Sequence, residues 1–211
     1  MWTKFINYTV NQISKSALQR EPYWHFAIDD FMHPGLLHLC NTNWPDIGDI
    51  KNPPGYNQNR LGYDTDSSFW REFETIYMGS EKIKRMIFLK GEIWRDLETT
   101  TSLALWEDSK GYSVSYHKDN LLIYIAAQIF ISNDERLRPY GTEMVGPPKE
   151  FKFYKRFECK ENFAWLMIND ANSWHGMKTE IKEDVKRRSI MFRYINKIRA
   201  EEKEMPAPYI R

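Results

Sequence analysis

The sequence predicts an α+β fold that is mainly β, in which N-terminal helices brace one face of a β-sandwich or barrel. Two observations support this class. Between Asp66 and Leu97, apolar residues recur at the spacing of amphipathic helices. After Thr99, the pattern changes to a series of short strand-like runs that are separated by turn sequences.

A strand and a helix are predicted near the N-terminus. Residues 23–31 form a short apolar run that enters a turn, and Pro34 can occupy the first turn of a helix. Residues 45–63 are rich in proline, glycine and asparagine, which predicts a long irregular loop. Because long loops in compact domains are often functional, this loop is a candidate lid.

Two further helices are predicted between this loop and the strands. The first begins after Asp66, where Ser67 or Ser68 can cap it. Its apolar positions are Phe69, Trp70, Phe73, Ile76 and Tyr77. The second helix is predicted to contain Gly91 near its middle. Its apolar positions are Ile83, Ile87, Trp94 and Leu97.

Eight strands are predicted where apolar and β-branched residues run between turn sequences. They lie at about 102–107, 111–118, 121–132, 142–146, 150–157, 163–169, 173–178 and 187–196. We predict a single domain over residues 1–211. It would have a helical and loop part at 1–100, a β core at 101–196 and a peripheral tail at 197–211.

Composition predicts a globular cytoplasmic protein. Thirty Lys and Arg residues oppose 29 Asp and Glu residues, and a net charge of +1 does not favour a nucleic-acid binder. Cys40 and Cys159 are too few and too far apart to form a disulfide framework. The N-terminus lacks the apolar run of a signal peptide, and the longest apolar stretch, 121–131, is too short to span a membrane.

Three residues, His117, Asp119 and His175, have side chains suited to binding one metal ion. His117 and Asp119 are two positions apart along a predicted strand, so their side chains point to the same face. His175 would complete two imidazoles and one carboxylate, the donor set that leaves coordination positions open on non-haem Fe(II). A polar pair at a strand end is the alternative. The other three histidines, which we assign to the helical N-terminal part, are His25, His33 and His38.

The last predicted strand carries two arginines on one face. Alternation places Arg187, Ser189 and Arg193 on the same side. A buried face with two arginines is unfavourable unless anions pair with them. A dicarboxylate cofactor would supply such anions, with Arg187 in bidentate contact and Ser189 donating beside it. A solvated edge face explains this strand, taken alone, equally well.

The strand at 121–132 also has two different faces. Tyr124 and Gln128 share one face, opposite a row of isoleucines that should pack on the helices. The polar face could look into a site, where Tyr124 and Gln128 could hydrogen-bond a cofactor. Buried polar groups that bond the backbone are an equally good explanation for each.

The combined pattern resembles the 2-oxoglutarate- and Fe(II)-dependent dioxygenases, in particular small bacterial and phage members of the prolyl-4-hydroxylase-like type. The residues that carry the resemblance are His-x-Asp at 117–119, Trp-His-Gly around His175 and Arg-x-Ser at 187–189. The likeness extends over residues 20–196. Further similar segments are Gly111, Ile129-Phe130-Ile131-Ser132-Asn133-Asp134 and Gly141-Thr142-Glu143.

This resemblance implies a double-stranded β-helix, the jelly-roll fold of cupin-like proteins. It implies a hydroxylase that uses Fe(II) and 2-oxoglutarate, releases succinate and CO2, and has ascorbate as its reductant. The implied Fe(II) ligands are His117, Asp119 and His175. Arg187 would bind the distal carboxylate of 2-oxoglutarate, assisted by Ser189. Arg187 and Arg193 also match the Arg-x5-Arg spacing of the nucleic-acid demethylase branch, where the second arginine approaches the other end of the cofactor.

The substrate is left open by the sequence. The prolyl-hydroxylase-like motifs favour a peptide or a small molecule, and the balanced charge makes nucleic acid possible but less favoured. A non-catalytic jelly-roll that serves as a binding or structural module is one alternative. A metal-dependent cupin enzyme that does not use 2-oxoglutarate is the other. No partner membrane is predicted, and the oligomeric state is not readable from the sequence.

Overall fold

Helices and loops of the N-terminal part cover one side of two antiparallel sheets in the computed structural model, which describes residues 1–46, 59–93, 98–148 and 151–197. The helices are α1 (Trp2–Lys15), α2 (Pro34–Thr42), α3 (Ser68–Glu72) and α4 (Glu81–Lys90). A π-helical segment, Phe73–Met78, continues α3, and a 3-10 helix covers Glu135–Tyr140. The strands are β1 (His25–Ile28), β2 (Arg60–Tyr63), β3 (Thr99–Asp108), β4 (Val114–His117), β5 (Ile123–Phe130), β6 (Glu143–Val145), β7 (Phe153–Arg156), β8 (Phe163–Ile168), β9 (Trp174–Met177) and β10 (Arg187–Asn196).

The strands form a larger and a smaller sheet. The larger sheet has the order β1-β8-β5-β10-β3-β2, and the smaller sheet has the order β4-β9-β6-β7. All pairs are antiparallel, and strands distant in sequence lie side by side in both sheets. This interleaving is what a jelly-roll topology requires.

Apolar side chains fill two separate cores, one on each face of the larger sheet. The helix-side core takes residues from β10 at alternate positions, namely Ile190, Phe192 and Tyr194, together with helix residues. The inter-sheet core lies between the two sheets and includes Phe130, Met144, Trp165, Met167 and Met177. Any site carried by the other face of β10 must therefore lie between the sheets.

All eight predicted strands of the β region are confirmed, with most of them shorter than predicted. The short strand predicted at 23–31 is confirmed as β1, which begins at His25. The irregular loop predicted at 45–63 is partly wrong, since Arg60–Tyr63 forms β2 and pairs with β3. Residues 47–58 of that loop lie outside the described residues, so the lid stays a prediction.

The helices follow the sequence signals with two differences. The backbone N–H of Trp70 donates to Ser67 Oγ, 3.4 Å away, so Ser67 is the cap of α3. Helix α4 ends at Gly91 instead of passing through it, because Glu92 adopts a left-handed φ of 53°. Trp94 and Leu97, assigned to that helix, lie outside the described residues. Helix α1 was not anticipated; its buried positions are Phe5, Ile6, Thr9 and Ile13.

One irregularity in β5 changes which face a residue occupies. Tyr194 of β10 is opposite Ile125, but the next residue, Ile195, is opposite Ile123. The bulge therefore falls at Tyr124, whose ring packs against the helix-side core while Ile123 packs against the inter-sheet core. Among the described residues, no helix combines the length and apolar character that crossing a membrane needs.

Candidate metal centre

The smaller sheet brings the three predicted metal ligands together. His117 ends β4 and is the register partner of His175 on β9, and Asp119 follows in the turn after β4. Gly176 lets the two strands approach closely, because a Cβ there would lie 2.9 Å from the carbonyl oxygen of Ser115. Residues 58 positions apart in sequence are thus adjacent through antiparallel pairing.

The three side chains have the geometry of a metal site. One ligand atom from each of His117, Asp119 and His175 can be chosen so that all lie within 4.8 Å of one another. The two imidazole rings have centroids 4.5 Å apart at an interplanar angle of 53°. Among the described residues, no other group of His, Cys, Asp and Glu side chains converges in this way.

Backbone carbonyls fix which imidazole nitrogen is free. Nδ1 of His117 lies 2.9 Å from the carbonyl oxygen of Ser115, and Nδ1 of His175 lies 3.0 Å from that of Ser173. A carbonyl oxygen only accepts, so each Nδ1 carries the proton and each Nε2 presents a lone pair. Metal-binding histidines typically have such a second hydrogen bond, which sets the tautomer and the ring orientation.

The charge state of His175 also suits a ligand. The residue is 6 % exposed. Burial lowers the pKa of His175 and outweighs the opposing effect of Asp119, while the neighbouring His117 lowers it further. A lowered pKa keeps the imidazole neutral near pH 7, and the neutral form is the one that binds metals.

A turn and a tyrosine, neither singled out in the sequence, support the distal histidine. Ser173 Oγ lies 2.7 Å from Asn169 Oδ1, so the Ser173 carbonyl that accepts from His175 is held in place. The Tyr23 hydroxyl donates to the carbonyl oxygen of Trp174 at 3.1 Å. Burial, and then the charges of Asp170 and Asp119, raise the pKa of Tyr23.

Arg187 faces the space between the sheets, against Tyr112 and Phe130, and not a solvated edge, but it already has an anionic partner. Its Nε and Nη2 groups donate to Asp108 Oδ2 at 3.0 and 2.7 Å, and Nη1 donates to the carbonyl oxygen of Tyr140 at 2.7 Å. Arg60 donates to both oxygens of the same Asp108 carboxylate. No pattern in the sequence indicates this group, because Asp108 and Arg187 meet only through the register of β3 and β10.

Arg193 has a different environment on the same face of β10. It is 8 % exposed, and its Nε is one of three buried side-chain polar atoms without a hydrogen-bond partner among the described residues. Its positive charge acts on His175, although burial has the larger effect on that imidazole. The two predicted anion-binding arginines are therefore not equivalent.

Gln128 and Ser189 belong to one buried hydrogen-bond network. The Trp165 indole N–H donates to Gln128 Oε1 at 3.0 Å, and the Thr142 hydroxyl donates to the same oxygen at 2.7 Å. Because an indole N–H only donates, the amide orientation is fixed, and Gln128 Nε2 must donate to Ser189 Oγ, 3.1 Å away. Gln128 is thus bonded to the side chains of Trp165, Thr142 and Ser189, and not to the backbone as the alternative prediction had it.

The prediction that Tyr124 faces the site is wrong. The bulge in β5 turns its ring to the helix side of the sheet, where Asn196 Nδ2 donates to its hydroxyl at 2.5 Å. Side chains alternate strictly between the two faces only along a regular strand, so a single bulge residue moves a side chain to the opposite face.

Solved structures of other proteins share the architecture of this chain. No model of a protein family matches the chain. No curated protein matches it either. Among solved structures, a 2OG-Fe(II) oxygenase family oxidoreductase from Burkholderia pseudomallei is similar over 90 % of each chain, with a TM-score of 0.62 and 11 % identity. HygX from Streptomyces hygroscopicus, solved with nickel, 2-oxoglutarate and hygromycin B, has a TM-score of 0.60 and 10 % identity over 82 % of this chain and 83 % of its own.

A prolyl hydroxylase from Trichoplax adhaerens, in complex with a hypoxia inducible factor peptide fragment, is also similar. It has a TM-score of 0.59 and 14 % identity, and the match covers 94 % of this chain and 92 % of that one. Together these structures confirm the predicted double-stranded β-helix and, at the level of the fold, the resemblance to oxygenases of the prolyl-hydroxylase type.

Proposed function

We propose that this protein is an Fe(II)- and 2-oxoglutarate-dependent dioxygenase, a hydroxylase that oxidises a peptidyl side chain or a small molecule and releases succinate and CO2. The observation that carries the proposal is the convergence of His117, Asp119 and His175 within 4.8 Å on a fold shared with such enzymes.

The donor set fits Fe(II). Two neutral imidazole nitrogens and one carboxylate oxygen are the facial set that leaves positions open for a chelating cofactor and dioxygen. Both Nε2 atoms are available because both Nδ1 atoms are bonded to backbone carbonyls. Asp119 supplies the negative charge that the two neutral ligands lack.

The chain's own residues would bind and orient the cofactor and the substrate and would exclude water from the site. Iron and 2-oxoglutarate would supply the oxidising power when bound. His175, buried among Trp165 and the inter-sheet core, keeps the centre dry on one side. The carboxylates of the cofactor need positive partners, and the inner face of β10 offers Arg187 and Arg193. Gln128 and Ser189 lie between these two arginines along the sheet.

Support for the substrate class comes from the similar structures. One is solved with the small molecule hygromycin B and another with a peptide fragment. We infer that this chain also takes a small molecule or a peptide in the space beside the three ligands, and we keep nucleic acid as the less favoured class. We further propose that residues 1–211 act as a single cytoplasmic domain with ascorbate as reductant.

The test is the conversion of 2-oxoglutarate to succinate without added substrate, in the presence of Fe(II) and ascorbate. We expect the wild-type protein to produce succinate, and we expect His175→Ala to lose activity by more than about 100-fold. Groups that merely orient metal ligands already change affinity or activity by about 10- to 100-fold. His38→Ala, which removes an exposed histidine on α2, is the matched control and should keep wild-type turnover.

Unchanged turnover in His175→Ala would contradict the metal assignment. One observation favours a second candidate, a metal-dependent cupin-type enzyme that does not use 2-oxoglutarate: Arg187 is already paired with Asp108. That candidate predicts metal binding whose absorption spectrum does not change when 2-oxoglutarate is added. A wild-type protein that binds no metal would instead favour the non-catalytic module.

A further inference from the structure

A buried carboxylate, Glu143, lies on the outer face of the smaller sheet, the face that points away from the inter-sheet core. We propose that Glu143 is a positioning residue: through the hydroxyl of Tyr116 it holds the end of β4, and with it His117, in the geometry that binds the metal. The inference rests on the proposed function, because it assigns a support of the metal centre on which that function depends.

The position of Glu143 follows from the register of the smaller sheet. On β6, Met144 packs into the inter-sheet core and is opposite His175. The preceding side chain, Glu143, therefore points to the outer face. Its register partner is Gly176, the residue that follows the distal ligand. The carboxylate thus lies one residue along the sheet from the metal ligands and on the opposite face.

Both carboxylate oxygens of Glu143, a residue that is 2 % exposed, accept hydrogen bonds. Oε2 accepts from the Tyr116 hydroxyl at 2.8 Å and from the backbone N–H of Lys178 at 3.2 Å. Oε1 accepts from Arg156 Nε at 3.0 Å and from the Thr179 hydroxyl at 3.3 Å. The donors belong to β4, to β7 and to the segment after β9, so this one side chain connects three parts of the chain.

The Tyr116 ring reaches Glu143 by crossing β9 at a glycine. A Cβ on Gly176 would lie 3.0 Å from Cδ1 of this ring, closer than most Cβ contacts. The ring also packs against Phe151, with centroids 5.4 Å apart. Glycine in β9 therefore allows a side chain of β4 to bond a side chain of β6, two strands away.

The end of β4 needs such a restraint because its pairing is irregular. Val114 is opposite Met177. Three residues later on β4, His117 is opposite His175, which is only two residues earlier on β9. Such a bulge interrupts the ladder of backbone hydrogen bonds. Among the strands that the structure describes, β4 also has a neighbour on one side only, so its ladder is a weak restraint.

The bulge contains the group that orients the metal ligand. Ser115 and Tyr116 are the bulge residues, and the carbonyl oxygen of Ser115 accepts from Nδ1 of His117 at 2.9 Å. Glu143 holds Tyr116, and the position of Tyr116 sets that of the preceding carbonyl. This carbonyl then orients the imidazole that would bind the metal.

The experiment removes one hydroxyl and measures the metal site. The dissociation constant of Co(II), and the visible absorption spectrum of the bound ion, which reports its coordination geometry, are determined for wild type and for Tyr116→Phe. This variant keeps the ring and its packing and loses the bond to Glu143. We expect the affinity to fall by about 10-fold, at the lower end of the range for groups that orient metal ligands, and the absorption bands to shift.

Three further variants complete the comparison. Tyr154→Phe, which removes the hydroxyl of an exposed tyrosine on β7, is the matched control and should change neither quantity. Glu143→Gln should weaken Co(II) binding at least as much as Tyr116→Phe. In the double variant, the loss of the Tyr116 hydroxyl should matter much less than in wild type, because the two residues act in one series. Urea unfolding of the same preparations verifies that each variant is folded.

The outcomes separate this inference from the proposed function. Wild-type affinity and an unshifted spectrum in Tyr116→Phe would overturn the inference and leave the proposed function standing. Losses of affinity that add in the double variant would also overturn it, since Glu143 and Tyr116 would then act independently. A wild-type protein that binds no Co(II), or a His117→Ala variant that binds it as tightly as wild type, would overturn the metal centre and the proposed function with it.

Discussion

Asp108 lies at the end of β3 and shares its carboxylate between Arg60 and Arg187. Burial would raise the pKa of Asp108, but the two guanidinium groups outweigh burial and lower it below the usual value. Glu107, the preceding residue, points to the other face and pairs with Arg188 and Lys186. Adjacent carboxylates thus anchor opposite sides of β10.

Asp108→Asn should lower the free energy of unfolding by about 3–5 kcal/mol at neutral pH, because buried guanidinium groups lose their charged partner. The pKa of Asp108 is lower in the folded than in the unfolded protein. Its stabilising effect is therefore complete above the unfolded value of about 4 and is lost as the pH falls through the folded value. Denaturant unfolding at a series of pH values should give a steeper acid loss for wild type than for the variant.

Glu98→Gln, which changes an exposed carboxyl at the start of β3, is the control for general charge effects. It should follow the wild-type pH curve. If Asp108→Asn lost stability in acid in parallel with wild type, the lowered pKa of Asp108 would be excluded as a source of the pH dependence.

At the scale of residues, sequence patterns located the three side chains of the candidate metal centre but not the pairing of Arg187 with Asp108. A two-residue spacing on a strand predicts that His117 and Asp119 share a face. The pairing of Arg187 with Asp108 depends instead on the register of two strands that are 79 residues apart. Sequence alone therefore could not show that Arg187 is paired whereas Arg193 Nε has no hydrogen-bond partner among the described residues.

Among the elements, the turn between β8 and β9 supports the distal histidine of the candidate metal centre. Asn172 N–H donates to Asp170 Oδ1, and the Ser173 hydroxyl bonds Asn169 and the Asp170 carbonyl. The carbonyl of Ser173 then accepts from Nδ1 of His175. The shape of this turn therefore sets the orientation of the distal imidazole.

Ser173→Ala should weaken metal binding by about 10-fold, at the lower end of the range for groups that orient metal ligands. The dissociation constant of Co(II) or Mn(II), measured by titration of the purified protein, checks this. Ser173→Thr keeps the hydroxyl and should restore much of the affinity, whereas Ser14→Ala, on the exposed side of α1, should have no effect. Equal affinity in Ser173→Ala and wild type would exclude this role for the turn.

Elements of regular periodicity were predictable, and interruptions were not. The strands after Thr99 were located because turn residues bound each run. The bulge at Tyr124 has no such signal, and it alone reversed the predicted face of that side chain. Helix α4 ends before Gly91, and the next residue, Glu92, takes a left-handed conformation. The apolar residues further along the chain do not indicate this end of the helix.

On the scale of the whole molecule, the larger sheet separates the helix-side core from the side with the candidate metal centre. The helix-side core contains a buried chain of hydrogen bonds in which Tyr77 donates to Thr9 Oγ1 at 2.5 Å and Thr9 donates to the Phe31 carbonyl at 3.0 Å. The metal ligands lie across the sheet, on the side of the inter-sheet core. Substitutions in the helix-side core should therefore change the stability of the protein and leave its metal affinity unchanged.

Tyr77→Phe should lower the free energy of unfolding by about 1–2 kcal/mol, because Thr9 Oγ1 loses its buried donor. The affinity for Co(II) should stay at the wild-type value. Chemical denaturation and metal titration of the same preparation measure both quantities. A large loss of metal affinity would contradict the separation of the two sides, and Thr9→Val, which removes both hydrogen bonds, should be more destabilising than Tyr77→Phe.

The fold class was predictable because the order of helices and strands restricts how layers can pack. The interleaved strand order of the two sheets came only from the resemblance to a known family. Local patterns do not say which distant strand becomes a neighbour.

The hydrogen-bond network of Gln128, Ser189, Thr142 and Trp165 has a consequence for redesign. Along β10 it lies between Arg193 on one side and the buried pair of Arg187 and Asp108 on the other. The pair of Arg187 and Asp108 is buried, and breaking a buried ion pair is strongly destabilising. New specificities are therefore best introduced by exchanging side chains on the Arg193 side of the network, while Arg187 and Asp108 are kept.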